Sequence, residues 1–142
     1  MKPKILLRIA SAFIVLHAVG HLFGMAGWTD ARTDEQKMVV HAMTDHRFAF
    51  MGAVHSFGDS FNGFGYIAEI SLLLAAYLLW ICGSAADSYP VISRKLSFAL
   101  FISLFAQSIL EFIYFFPFAA SMTLIAALIT GAAFLSTRKL LH

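Results

Sequence analysis

The 142-residue sequence contains few charged residues and a single cysteine. Asp, Glu, Lys and Arg make up 13% of the chain, about half their share in an average soluble domain. Ten basic and eight acidic residues leave a net charge of +2, which is too small for a nucleic-acid-binding surface. The lone Cys82 excludes an internal disulfide, a CxxC redox pair and a zinc site built on cysteines.

Apolar residues are abundant instead and make up 60% of the chain. A helix needs about 20 mostly apolar residues to cross a bilayer. Four stretches meet this requirement, at about residues 5–27, 57–83, 96–116 and 118–136. Because no internal repeat or second domain is visible, the prediction is an all-α integral membrane four-helix bundle that forms one transmembrane domain over residues 1–142.

Charged residues outside the spans predict the orientation of the chain. The two ends and the loop between spans two and three together carry only one acidic residue, Asp87. Their basic residues are Lys2, Lys4, Arg8, Arg94, Lys95, Arg138 and Lys139. Since Lys and Arg are enriched in cytoplasmic loops, both termini are predicted to be cytoplasmic.

The basic start followed by an apolar run is also the pattern of a cleaved signal peptide. Two histidines inside the run, His17 and His21, argue against cleavage. Three spans would remain even if cleavage occurred, so the expectation of a membrane protein does not depend on this choice.

The longest connection, at about residues 28–50, is predicted to lie on the outer side. Thr33 followed by Asp34 and Glu35 is typical of a helix N-terminus. The apolar residues that follow share one helical face, and they are Met38, Val39, Ala42 and Met43. This pattern predicts a short amphipathic helix at the outer interface, which either covers the bundle as a lid or lies on lipid.

Three spans carry polar residues at helical spacing. His17 and His21 are four residues apart in span one and therefore share a face. The stripe in span two is His55, Asp59, Asn62, Tyr66 and Glu69, and the stripe in span three includes Gln107, Glu111 and Tyr114. Because ionisable residues in a span normally face the bundle interior, the stripes predict a polar cavity in the outer half of the membrane.

Each of these residues also has a purely structural interpretation. A membrane histidine often only links two helices, and Glu69 or Glu111 would donate to a carbonyl if protonated. Asp59 and Asn62 suit a helix cap, and the tyrosines suit the membrane interface. The shared face and depth of the three stripes favour the cavity over these separate interpretations.

The leading hypothesis is binding of a small lipophilic ligand, and in its fuller form conversion of that ligand by acid–base chemistry. An apolar pocket moves the pKa values of carboxyl groups and histidines toward neutrality. The predicted catalytic residues are His17, His21, Glu69 and Glu111. Residues predicted to bind the ligand are His55, Asp59, Asn62, Tyr66, Gln107 and Tyr114. This hypothesis requires no cofactor, and the ligand would enter from the membrane lipids.

Two alternatives stay open. In the first, His17, His21, Glu69 and Glu111 bind zinc or iron and form a metal-dependent membrane enzyme, although HxxxH spacing alone is a weak signal. In the second, the chain is a non-enzymatic accessory subunit of a membrane complex. Glycine and alanine on several spans would permit contact with a partner membrane protein or a second copy.

Three motifs carry a resemblance to known proteins: HAVGH at residues 17–21, FGDSFNGFGY at 57–66 and ILEFIYFFPF at 109–118. With them the chain resembles a family of small bacterial four-helix membrane proteins. The resemblance implies the four-helix topology and a bacterial inner membrane, and it implies no activity. In architecture alone, the chain is also similar to the emopamil-binding and sigma-2 receptor superfamily and to DoxX-like proteins.

Overall fold

A computed structural model describes residues 2–137, which form five α-helices and one two-stranded β-hairpin. The helices are α1 (Pro3–Gly27), α2 (Asp34–Asp45), α3 (Phe57–Ala85), α4 (Pro90–Tyr114) and α5 (Pro117–Thr137). The strands β1 (Arg47–Phe50) and β2 (Ala53–Ser56) lie between α2 and α3 in the chain. Two basic residues used to predict the orientation, Arg138 and Lys139, fall outside the described residues.

Among the described residues, α1, α3, α4 and α5 are long and apolar enough to cross a membrane, at 21 to 29 residues each. Large apolar side chains are exposed along them, such as Phe23 at 76%, Ile70 at 67% and Leu135 at 66%. Apolar surface of this extent indicates contact with lipid. The four helices fit a multi-pass helical membrane protein, and the orientation of its termini stays a prediction.

Prolines set two of the helix starts. The predicted third span began near residue 96, whereas α4 begins at Pro90. A proline in the first turn loses no hydrogen bond, because the first N–H groups of a helix have no partner within it. Pro117 likewise opens α5, and only Phe115 and Phe116 separate it from the end of α4 at Tyr114, so α4 and α5 form a tight antiparallel hairpin.

The β-hairpin was not predicted from the sequence. Its strands pair from Arg47 with Ser56 to Phe50 with Ala53. Met51 and Gly52 form the turn with φ values of 49° and 86°. Turns of this kind usually carry Asn-Gly, and methionine rarely adopts a positive φ, so the sequence lacks the usual signal.

The hairpin corrects the predicted placement of one site residue. His55 lies in β2 and not in span two, so the stripe predicted for that span begins at Asp59. Asp59 itself belongs to a reciprocal cap at the start of α3. Its Oδ2 accepts the backbone N–H of Ser56 at 2.9 Å, and the Ser56 hydroxyl accepts the backbone N–H of Asp59 at 3.0 Å. This cap gives Asp59 a structural role.

The chain divides into two units by its contacts. The first unit combines the chain up to Gly20 with the chain from Ser71 onward, and the second is His21–Ile70. The core of the first unit contains Leu7, Ile14, Leu79 and Leu104, all almost fully buried. Hydroxyl groups link its helices, since Ser11 Oγ donates to the Ala76 carbonyl at 2.7 Å and Ser93 Oγ donates to the Cys82 carbonyl at 2.9 Å. Small and hydroxyl residues are typical of contacts between membrane helices.

In the second unit, α2 begins with a capping box. The Thr33 hydroxyl accepts the backbone N–H of Gln36 at 3.2 Å, and Gln36 Oε1 accepts the backbone N–H of Thr33 at 3.2 Å. At the other end of the helix, His41 Nδ1 lies 2.7 Å from Asp45 Oδ2. This histidine–carboxylate pair is exposed to solvent.

The stability of α2 is expected to fall in acid. Its own backbone N–H and the Thr33 hydroxyl hold the pKa of Glu35 below its ordinary value of 4.5, and the hydrogen bond with His41 holds the pKa of Asp45 below its ordinary value of 3.8. A carboxyl group whose pKa is lower in the folded than in the unfolded state stabilises the fold at a pH above its unfolded pKa. This contribution is lost as the pH falls through the pKa of the folded state. Backbone chemical shifts of α2 in nanodiscs should therefore become less helical below pH 4.5, and the change should be smaller in a Glu35→Gln/Asp45→Asn variant. Equal changes in the two proteins would contradict this.

Candidate functional site

A histidine and a glutamate meet in the second unit. His21 of α1 places Nδ1 3.2 Å from Oε2 of Glu69 of α3. The Glu69 side chain is 9% exposed and the His21 side chain 24%. The other oxygen of the carboxyl group, Oε1, is buried and has no hydrogen-bond partner among residues 2–137.

An antiparallel register positions this pair. Within the second unit, three of the contacts that join α1 or the residue after it to α3 share one register, since in each the two residue numbers add to 90. They are His21 with Glu69, Met25 with Gly65, and Trp28 with Asn62. Trp28 Nε1 donates to Asn62 Oδ1 at 2.8 Å. A Cβ at Gly65 would collide with the Met25 side chain, so glycine at this position lets the thioether lie between the two polar contacts.

A second histidine–carboxylate group lies in the first unit. His17 Nδ1 is 2.8 Å from the Thr123 hydroxyl of α5 and 3.9 Å from Glu111 Oε1 of α4. Gln107 Nε2 donates to the same Glu111 oxygen at 2.7 Å. His17, Glu111 and Thr123 are each at most 8% exposed. Glu111 Oε2 is buried and, within the described chain, has no hydrogen-bond partner.

Thr123 was not among the predicted site residues, because α5 carries no ionisable residue. One signal was available. Glu111 and Thr123 are each six residues from Pro117, at the turn of the α4–α5 hairpin. Residues at equal distances from such a turn lie opposite each other on antiparallel helices. Thr123 could therefore have been predicted to lie beside Glu111.

Both groups are suited to holding one proton. In each, the ring nitrogen Nδ1 faces an oxygen, and when Nδ1 carries the proton, Nε2 is the basic atom. When a neutral imidazole beside a glutamate carboxylate takes up one proton, it becomes an imidazolium–carboxylate pair with no net charge. The added proton therefore leaves no unpaired charge in an apolar environment, where one is costly.

The remaining predicted site residues lie elsewhere. Asp59 caps α3, and its Oδ2 is 3.8 Å from both Arg47 Nη2 and His55 Nδ1 at an exposed position. Tyr66 and Tyr114 are 59% and 74% exposed, as expected for tyrosines at a membrane interface or against lipid. The prediction of a single polar cavity shared by three spans stays a prediction.

The second unit also contains a cavity of about 410 Å³ between α2 and the segment that precedes it. Its walls are mainly apolar, with two carboxyl groups among them. The lining residues are Trp28, Asp30, Ala31, Glu35, Gln36, Val39, Val40 and Met43. Trp28 connects this cavity to the α1–α3 contacts, because the same indole donates to Asn62.

Residues 2–137 contain no group of three or more histidine, cysteine, aspartate or glutamate side chains that could hold a metal ion. Comparison of the chain with protein-family models, curated proteins and solved structures found no match. A functional assignment therefore depends on the geometry of the two histidine–carboxylate groups.

Proposed function

We propose that the protein binds a small lipophilic ligand at its two histidine–glutamate groups and exchanges a proton with the polar end of that ligand. One observation carries the proposal. Glu69 and Glu111 each hold one carboxyl oxygen against a neighbouring side chain and bury the other without a hydrogen-bond partner among the described residues. Burying a polar atom in this way costs about 1–3 kcal/mol, and a ligand that donates a hydrogen bond would offset this cost.

The surroundings of the glutamates limit the class of ligand. Both residues lie in helices that are apolar enough to cross a membrane. A ligand reaches such a site most readily through the lipid, so its body is apolar. Its polar end carries a hydrogen-bond donor such as a hydroxyl group, because an unprotonated carboxyl oxygen can only accept.

The residues of each group then have distinct roles. In the second unit, Glu69 orients His21 through Nδ1, and Nε2 of His21 is the atom that takes a proton from the ligand or returns it. In the first unit, Thr123 orients His17, and Gln107 fixes the position of Glu111. His21 and His17 are the proposed bases, and the glutamates bind the donor group of the ligand.

Extraction of bound lipophiles from protein purified in nanodiscs tests the proposal. Mass spectrometry of the wild type should identify one compound enriched over the nanodisc lipids. Glu69→Gln and Glu111→Gln preserve the shape of each side chain and remove the carboxylate, so at least one of them should retain less than about a tenth of that compound. Asp45→Asn removes the carboxylate of the exposed His41–Asp45 pair and should retain all of it.

Identical extracts from all four proteins, with no compound enriched over the nanodisc lipids, would contradict the proposal. Elemental analysis of the same samples tests the metal-enzyme alternative. Stoichiometric zinc or iron that is lost in a His17→Ala/His21→Ala variant would replace the proposal with that alternative. A membrane protein that purifies together with the chain, with or without these substitutions, would favour the accessory-subunit alternative.

A further inference from the structure

The β-hairpin has an unusual distribution of polarity. Hairpin turns in water are typically polar and rich in Asn, Asp and Gly. Here the five residues from Phe50 to Val54 carry no polar side chain. Phe50 is 67% exposed, Met51 91% and Val54 56%. The tip of the hairpin is therefore exposed and entirely apolar.

The polar residues of the hairpin are gathered at its base. Arg47 opens β1 opposite Ser56, which closes β2. Arg47 Nη2 and His55 Nδ1 each lie 3.8 Å from the Asp59 carboxylate at the start of α3. The hairpin thus changes from charged and polar at the base to apolar at the tip over the length of two short strands.

The hairpin is fixed to the end of a candidate membrane span. β2 ends at Ser56 and α3 begins at Phe57 with no intervening residue. The rings of Phe48 and Phe57 are 4.8 Å apart, which ties β1 to the first residue of α3. Because α3 is long and apolar enough to cross a membrane, its connection to β2 brings the hairpin to the membrane surface.

We propose that the hairpin inserts its tip, Phe50–Val54, into the interfacial layer of the bilayer beside α3. A four-residue strand extends about 13 Å, whereas the headgroup layer on each side of a bilayer is roughly 5–8 Å thick. The tip can therefore reach the boundary between headgroups and acyl chains while Arg47 and His55 remain among the headgroups.

The backbone of the hairpin limits how deep this insertion goes. A two-stranded sheet leaves the outer edge of each strand without backbone partners. Such edges do not occur in the hydrocarbon core, where no water is present to bind them. The headgroup layer contains water and phosphate oxygens, so the predicted depth is interfacial. The proposal depends on α3 spanning the membrane and not on the proposed lipophilic ligand.

A fluorescent label at the tip tests this directly. Met51→Cys in a Cys82→Ala background is labelled with an NBD group, and the full chain is placed in phosphatidylcholine nanodiscs. Asp34→Cys in the same background is the control, because the Asp34 side chain is 91% exposed at the polar start of α2. Iodide should quench the label at position 51 at least threefold less than it quenches the control label, because insertion into the interface shields the tip from the aqueous quencher.

Nitroxide-labelled lipids then identify the surroundings of the tip. A nitroxide near the headgroup should quench the label at position 51 more than one near the end of the acyl chain. Equal access of iodide to positions 51 and 34 would contradict the proposal. Protection from iodide without quenching by any labelled lipid would also contradict it, since the tip would then contact protein. A label at Val54→Cys repeats the measurement if the first variant fails to fold.

Discussion

A His21→Ala variant is expected to bind the lipophilic ligand at least tenfold more weakly than the wild type. Its free energy of unfolding should stay close to that of the wild type. A hydrogen bond to a charged group contributes about 1.5–3 kcal/mol, and each 1.4 kcal/mol is a tenfold change in affinity. Polar contacts between membrane helices stabilise the fold by only about 0.6 kcal/mol on average. Loss of the His21 contact with the ligand should therefore weaken binding more than loss of its 3.2 Å contact with Glu69 weakens the fold.

The measurement is rebinding of the compound identified by extraction, at equilibrium and in nanodiscs, alongside denaturant unfolding of the same protein. His41→Ala is the matched control, because His41 makes a similar contact with Asp45 on an exposed helix. The control should leave both affinity and stability unchanged. A His21→Ala variant that loses about 3 kcal/mol or more of stability and keeps its affinity would show that the pair has a structural role.

Gly83→Leu is expected to destabilise the protein by about 2–3 kcal/mol. Within the first unit, a Cβ at Gly83 would lie 3.2 Å from the Lys4 carbonyl oxygen and 3.4 Å from Leu7 Cβ. The nearest atom belongs to the backbone of α1, so α1 and α3 would have to separate to admit a side chain. Overpacking of this kind typically costs about 1–3 kcal/mol, and a leucine side chain is much larger than a single methyl group.

Gly63→Leu in the same helix is the control for this substitution. A Cβ at Gly63 would have no neighbour within 4 Å, so the side chain would extend into open space. Leucine also has a helix propensity about 0.8 kcal/mol more favourable than that of glycine. The free energy of unfolding in mixed detergent micelles should be lower for Gly83→Leu than for Gly63→Leu. Equal stability would contradict the close contact of α1 with Gly83.

The four long helices could be predicted from the sequence because an apolar run of about 20 residues leaves the backbone few alternatives in a membrane. The same reasoning predicted that His17 and His21 face polar residues of other helices, since costly polar residues normally face the bundle interior. Helical periodicity alone could not predict which glutamate meets which histidine. That choice depends on the register of α1 against α3, and on the position of Pro117 between α4 and α5.

The hairpin could not be predicted because its residues give no turn signal. Met51 stands where asparagine or aspartate is usual, and the apolar tip has the composition of a membrane span. The wrong assignment of His55 to that span has the same origin. Helical spacing placed His55 one turn before Asp59, whereas the chain enters α3 from a strand and begins the helix at Phe57.

The proposal that a ligand exchanges a proton with His17 or His21 is tested most directly by ¹⁵N NMR of histidine-labelled protein. The imidazole shifts report the protonation and tautomer of each of the six histidines. Spectra of the protein as purified and after exhaustive removal of lipophiles should differ at His21 or His17, and should agree at His41, which is exposed. Shifts of His17 and His21 that are unchanged by removal and by re-addition of the extracted compound would contradict the account.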